Sequence, residues 1–146
     1  MGKKKQTEGR EALRQKLGER GAQLTTQRAA VHDYLSGVEH HPTAQEVFLA
    51  IKPTMPRISL ATVYKNLEAL VQCGAVSKLA YGDAAARYDI RTDHHYHTRC
   101  LGCGKIWDLD ARGVGSELLE HIKPQAGFEV KDYRLELLGH CRECRR

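Results

Sequence analysis

Two Cys-x-x-Cys pairs, Cys100 with Cys103 and Cys141 with Cys144, constrain this chain more than any other feature of its sequence. A four-coordinate zinc ion takes four thiolates at such spacings. One ion bound by both pairs would tie the intervening sequence into a loop at its base. The chain has five cysteines, and their grouping in pairs points to metal rather than to a disulfide framework. Cys73 is left over and is expected to be a packed helix residue.

The first pair sits in a stretch rich in donors of another kind. Residues 89–108 read D-I-R-T-D-H-H-Y-H-T-R-C-L-G-C-G-K-I-W-D, with three histidines and three aspartates among them. Thiolates are soft and suit zinc, whereas imidazole with carboxylate suits a harder ion such as Fe(II) or Mn(II). The sequence therefore predicts two metals with two tasks.

A chain of 146 residues can form one domain or two small ones, and folding units of about 60 residues are marginal alone. The boundary is expected at residue 90, with residues 1–90 and 91–146 as the two domains and residues 1–10 disordered. The zinc site and a dimer interface would each add stability to the second. No apolar run approaches the roughly 20 residues of a membrane span. The basic start M-G-K-K-K-Q-T-E-G-R has no apolar segment behind it, so it is not read as a secretory signal. The cytoplasm is the expected location. Residues 1–83 hold 12 Lys and Arg against 8 Asp and Glu, and residues 84–146 hold 11 against 10. A basic first half fits a polyanionic partner.

Along that first half, helix signals follow one another. A short amphipathic helix carries Leu13 and Leu17 and stops at Gly21, and a second is capped by Thr25 or Thr26. Thr43 and Glu46 have the spacing of a capping box after Pro42, and Ser59 caps a fourth helix whose entry is stapled by Ile58 and Val63. In that fourth helix Leu60, Val63, Leu67, Leu70 and Val71 form one stripe, and Thr62, Lys65, Asn66, Ala69 and Gln72 the other side. A β-hairpin turning at Gly82-Asp83 follows. The pattern predicts a winged helix-turn-helix, a fold that lays its last helix in the major groove of DNA. Periodicity equally allows a core helix with an ordinary solvated side. Beyond residue 90, strands around one helix (G-V-G-S-E-L-L-E-H-I-K) predict a small α/β dimerisation domain. The last strand is expected to run through E-V-K-D-Y-R-L-E-L-L-G-H-C, and the whole is α+β.

These pieces, taken in order, resemble the ferric uptake regulator family of winged-helix, metal-dependent repressors. The resemblance rests on L-T-T-Q-R, H-P-T-A-Q-E-V, S-L-A-T-V-Y-K-N-L, Y-D followed by H-H-Y-H, C-L-G-C-G-K-I and G-H-C-R-E-C. Within the family, Y-G-D-A-A-A-R-Y-D with D-H-H-Y-H and C-G-K-I-W-D is most similar to the peroxide-sensing branch. The resemblance implies a structural zinc on Cys100, Cys103, Cys141 and Cys144. It implies a regulatory Fe(II) or Mn(II) on His41, Asp89, His95, His97 and Asp108. Asp93 and His94 are spare donors beside them. Iron sensors of the family tend to carry an acidic residue where this chain has Tyr96. Many members carry a histidine where it has Lys131, Asp132 and Tyr133, so a third metal site is not expected here.

The implied protein is a homodimeric repressor, not an enzyme, binding a pseudo-palindromic double-stranded operator with half-sites about one helical turn apart. Arg28, Lys65 and Lys78 are the candidates for phosphate contacts. Ser59, Thr62, Tyr64 and Asn66 are the candidates at the helix that reads bases. With Fe(II), peroxide is expected to oxidise His41 or His95, release the metal and free the DNA, so that peroxide-stress genes are expressed. An iron- or zinc-uptake regulator sensing metal supply is the alternative. A rubredoxin-like electron carrier is a more distant one, as is a hydrolase, for which no base or nucleophile is arranged.

Overall fold

The computed structural model describes residues 2–110, 114–131 and 133–145. The chain divides into two compact units, Met1–Asp93 and His94–Arg146, so the division falls after Asp93 rather than after residue 90. Among the described residues no helix is long and apolar enough to cross a membrane.

The first unit contains α1 (Gly2–Gly18), α2 (Thr26–Gly37), α3 (Ala44–Ile51), α4 (Leu60–Gln72), β1 (Ser77–Leu79) and β2 (Arg87–Asp89). The helix starts are set by short polar side chains that satisfy otherwise orphaned N–H groups. Thr25 accepts from the Arg28 N–H, Ser59 accepts from the Thr62 N–H, and Thr43 and Glu46 close a full capping box. Gly74, at φ +74°, turns the chain after α4, a left-handed conformation that glycine adopts without a Cβ penalty. One expectation is corrected at the N-terminus. The chain is helical from Gly2, because the lysines and glutamine ahead of Gly9 are adequate helix formers and extend a helix anchored by Leu13 and Leu17.

Leu13, Leu17, Val31, Leu35, Val47, Ile51, Val63, Leu67, Leu70 and Val76 form one core with Tyr88 of β2. Each such aliphatic side chain contributes about 1.5–3 kcal/mol by leaving water. Helix α4 packs on both α2 and α3, so its buried face is wider than a single stripe. Strands β1 and β2 pair antiparallel with Lys78 opposite Tyr88.

The second unit contains β3 (Tyr96–Cys100), β4 (Ile106–Leu109), α5 (Val114–His121) and β5 (Glu136–Gly139). Their sheet has the order β4-β3-β5, with β3 antiparallel to β4 and parallel to β5. The last strand is shorter than the alternation from Glu129 onward predicts. It is a strand only where β3 offers partners, from His97 opposite Glu136 to Cys100 opposite Gly139. Residues 111 and 112, Gly113 at the start of the expected helix, and Asp132 in the expected last strand lie outside the described residues.

Candidate metal centres

Parallel pairing of β3 and β5 brings the two cysteine pairs together. Cys100 ends β3 and faces Gly139, and Cys141 follows just beyond β5, so both pairs leave the sheet at the same end. Each then turns tightly: the Gly104 N–H donates to the Cys100 carbonyl at 2.9 Å, and the Cys144 N–H to the Cys141 carbonyl at 3.0 Å. The four sulfurs lie within 4.8 Å of one another, and Cys103 Sγ is 3.8 Å from Cys141 Sγ. Sulfurs about 2.3 Å from a tetrahedral zinc stand about 3.8 Å apart, so the set fits that ion.

The electrostatics of the cluster also suit a cation. Hydrogen bonds from the Cys141 N–H, 3.3 Å from Cys100 Sγ, and from the Cys103 N–H lower the Cys100 thiol pKa to about 5. Hydrogen bonding to Cys141 and then Cys100 pushes the Cys144 thiol up to about 12. One sulfur is thus a ready thiolate, and its neighbours share protons that a metal would displace.

The second unit also carries the harder donors. The antiparallel register sets Asp108 opposite His97. Asp108 Oδ1 lies 3.0 Å from His95 Nε2 and 3.7 Å from His97 Nε2, with the two imidazole centroids 4.5 Å apart. Ligand atoms about 2.1 Å from one ion at right angles stand about 3.0 Å apart, so these three can share a metal.

In the first unit, His41 and Asp89 form a second donor group. The loop before α3 lies along β2, with the Tyr88 N–H on the Pro42 carbonyl at 2.9 Å and a bridge between Thr43 and Arg87. This brings His41 Nε2 to 3.4 Å from Asp89 Oδ2, with the residues 6% and 1% exposed. Sequence reasoning missed Arg87, whose guanidinium donates to the His41 carbonyl at 2.9 Å and to Glu46 at 3.2 Å. The available signal was the R-Y-D spacing, which puts Arg87 and Asp89 on one face of a strand. Of the spare donors, Asp93 pairs with Arg91 at 2.6 Å, and His94 packs against Tyr96 and Tyr133. Cys73 is half-buried at the end of α4, with Sγ 3.4 Å from the Leu70 carbonyl.

The residues expected at a DNA surface fare unequally. Tyr64 and Lys65 are exposed on α4 and Ser59 is exposed at its N-cap, while Thr62 is half-buried, its hydroxyl 2.8 Å from that of Ser59. Lys78, on β1, stands 3.8 Å from the Glu68 carboxylate. Arg28 is half-buried and donates to the Gln23 carbonyl, which ties it to its own helix start. Asn66 is corrected: at 4% exposure it belongs to the packed side of α4, because that helix contacts two neighbours rather than one.

A soft four-sulfur set and a hard imidazole–carboxylate set, in a chain with a helical unit and an α/β unit, define a two-domain metal-binding protein. A sequence profile of the Ferric uptake regulator family matches residues 19–138, and the chain belongs to that family. It is 42% identical over 137 residues to the peroxide operon regulator of Bacillus subtilis strain 168, with 92% of each chain covered. Among solved structures it is similar to the Helicobacter pylori ferric uptake regulator, which has three functional metal binding sites. That likeness has a TM-score of 0.79 at 25% identity, covering 95% of this chain and 93% of that one. It is also similar to the Campylobacter jejuni peroxide stress regulator, with a TM-score of 0.62 at 35% identity, covering 81% and 88%. Members of the family are transcriptional regulators rather than enzymes, and they bind DNA as dimers. Within the family this chain resembles the peroxide-responsive repressors.

Proposed function

We propose that this protein is a dimeric, metal-dependent transcriptional repressor that senses hydrogen peroxide. The observation that carries the reading is the coexistence of a four-cysteine cluster and a separate imidazole–carboxylate set in a chain whose curated relatives include peroxide regulators. Cys100, Cys103, Cys141 and Cys144 would hold a structural zinc. His95, His97 and Asp108, with His41 and Asp89, would hold a regulatory Fe(II) or Mn(II). One ion held by both donor groups would couple metal occupancy to the DNA-binding unit, and its loss would undo that coupling.

Helices α3 and α4 with the β1–β2 hairpin would act as a winged helix-turn-helix. Tyr64 and Lys65, exposed on α4, would enter the groove, Ser59 and Thr62 would stand at the start of the reading helix, and Lys78 and Arg28 would contact phosphates. Asn66 has no place in that contact. Dimerisation would use the second unit, where Leu137 and Leu138 of β5 are 50% and 54% exposed on an edge strand of the sheet. Exposed apolar surface on an unpaired edge fits a second copy of the same unit.

Bound Fe(II) would activate hydrogen peroxide at the site, one oxygen atom passing to an imidazole and the other leaving as water. His41 or His95 would take up oxygen, bind metal less well as a result, and let the repressor leave its operator. The test loads zinc-replete protein anaerobically with Fe(II) or Mn(II), adds peroxide, and follows operator binding together with the mass of the His41 and His95 peptides. Release from the iron form alone, with oxygen added to a histidine, is expected. Retention in both forms overturns peroxide sensing and leaves a regulator of metal supply.

A further inference from the structure

Alternation along β3 separates two chemistries. His95 and His97 share one side with Asp108, and Tyr96 between them points the other way. There its ring meets that of Tyr133, with centroids 5.9 Å apart and planes at 37°, and the two hydroxyls are hydrogen-bonded. His94 closes the cluster edge-on, with centroids 5.5 Å from Tyr96 and 5.4 Å from Tyr133. Tyr96 is 9% exposed, and Tyr133 is half-buried. Neither phenol belongs to a donor set described above, yet one of them is flanked on both sides in sequence by the imidazoles where peroxide would be reduced.

We propose that Tyr96 and Tyr133 are an oxidative cross-linking site, closing to a dityrosine when peroxide is reduced beside His95 and His97. The peroxide-driven step rests on the proposed function. Dityrosine joins two phenols through the ring carbons next to their hydroxyls, so in the product the hydroxyls sit side by side and the rings are mutually twisted. The pair already has both features and needs only a closer approach of the rings. Each phenol gives up one electron and its hydroxyl proton. The two phenoxyl radicals couple through ortho carbons, and the hydrogen on each of those carbons returns to the oxygen to restore both aromatic rings. The pair loses two electrons and two protons in all, and these convert one hydrogen peroxide into two waters. Covalent closure would staple β3 to the segment entering β5 without consuming a metal ligand.

The experiment has two arms on zinc-replete protein. In the first, the Fe(II) and Mn(II) forms receive peroxide. In the second, protein without the regulatory metal is illuminated with ruthenium tris-bipyridyl and persulfate, a one-electron oxidant of phenols that needs no bound metal. Both arms read dityrosine fluorescence, the Tyr96–Tyr133 cross-linked peptide two hydrogens lighter than its parts, and oxygen on His41 and His95. The expected result is an intramolecular cross-link in the illuminated arm and in the iron form, its absence from the manganese form, and its loss in Tyr133→Phe and Tyr96→Phe. Absence of the cross-link under illumination overturns the site itself. Oxygenated histidines with no cross-link in the iron form overturn the peroxide-driven step while leaving peroxide sensing intact. If illumination cross-links the pair but peroxide modifies neither histidine nor tyrosine, peroxide sensing fails and takes that step with it, and the site stands.

Discussion

Arg87 donates to the backbone carbonyl of His41 at 2.9 Å. The same guanidinium reaches the Glu46 carboxylate at 3.2 Å, and Glu46 accepts from the Thr43 N–H at 2.8 Å to close the cap of α3. A candidate ligand, the strand that carries Asp89 and the first turn of α3 are therefore one hydrogen-bonded assembly. The His41 carbonyl is thereby linked to the first turn of α3 through Arg87 and Glu46.

Arg87→Met keeps most of the aliphatic stem and removes the donors, leaving a carbonyl in a buried loop without its partner, a change that costs about 1–3 kcal/mol. Melting temperature should fall modestly. Mn(II) affinity should fall about tenfold, the equivalent of about 1.4 kcal/mol, while zinc content is unchanged because the cysteines lie in the other unit. Isothermal titration with Mn(II) checks this, and an unchanged affinity would confine Arg87 to supporting the fold.

Local signals in the sequence carried the helix starts, because a capping box such as Thr43 with Glu46 acts within one turn and needs no tertiary information. The donor sets were legible for a related reason: Cys100 and Cys103, or His95 and His97, are fixed relative to each other by two or three residues of chain. Asn66 was misread because periodicity alone places an amide at the flank of the apolar stripe on the polar side, whereas contacts of α4 with both α2 and α3 bury that flank. The Arg87–His41 bond and the Tyr96–Tyr133 pair span 46 and 37 positions. No short-range pattern reports partners chosen by the packing of distant segments.

Gly102 faces a space that is already filled. A Cβ there would meet Cys144 Cβ at 2.8 Å and Sγ at 2.9 Å, too close to be absorbed without moving the second cysteine pair. Gly102→Ala should therefore lower the zinc content of purified protein severalfold and raise its sensitivity to chelators. Gly139→Ala is the control, since nothing lies within 4 Å of that position. Equal zinc content in the two variants, measured by metal analysis, would sink the idea.

Two neighbours on α4 should separate stability from recognition. Asn66 is buried and Lys65 exposed. Asn66→Ala should cost about 1–3 kcal/mol of folding free energy as a buried polar side chain is truncated. Lys65→Ala should leave unfolding unchanged, weaken binding across operator sequences and flatten the salt dependence of binding by about one phosphate contact. Denaturant titration and binding isotherms at several salt concentrations distinguish them. The prediction fails if Lys65→Ala destabilises the fold as much as Asn66→Ala does.

His32 provides a pH test confined to the helical unit. Burial is the main cause of its lowered pKa; Lys16 and Arg10 reinforce it and Asp33 opposes it. It sits against α1 in a space lined by Leu13, Lys16, Ala75 and Ile90. A histidine whose folded pKa lies below its unfolded value of about 6.5 favours the neutral form in the fold. Its contribution to stability is then complete above about pH 6.5 and declines as pH falls toward the lower folded value, because the unfolded chain takes up the proton first. Wild-type protein should consequently lose more stability than His32→Gln between about pH 8 and about pH 5. Loss of metal at acid pH is common to both proteins and cancels in the comparison. Denaturant midpoints that fall in parallel would show that the proton taken up on unfolding goes elsewhere.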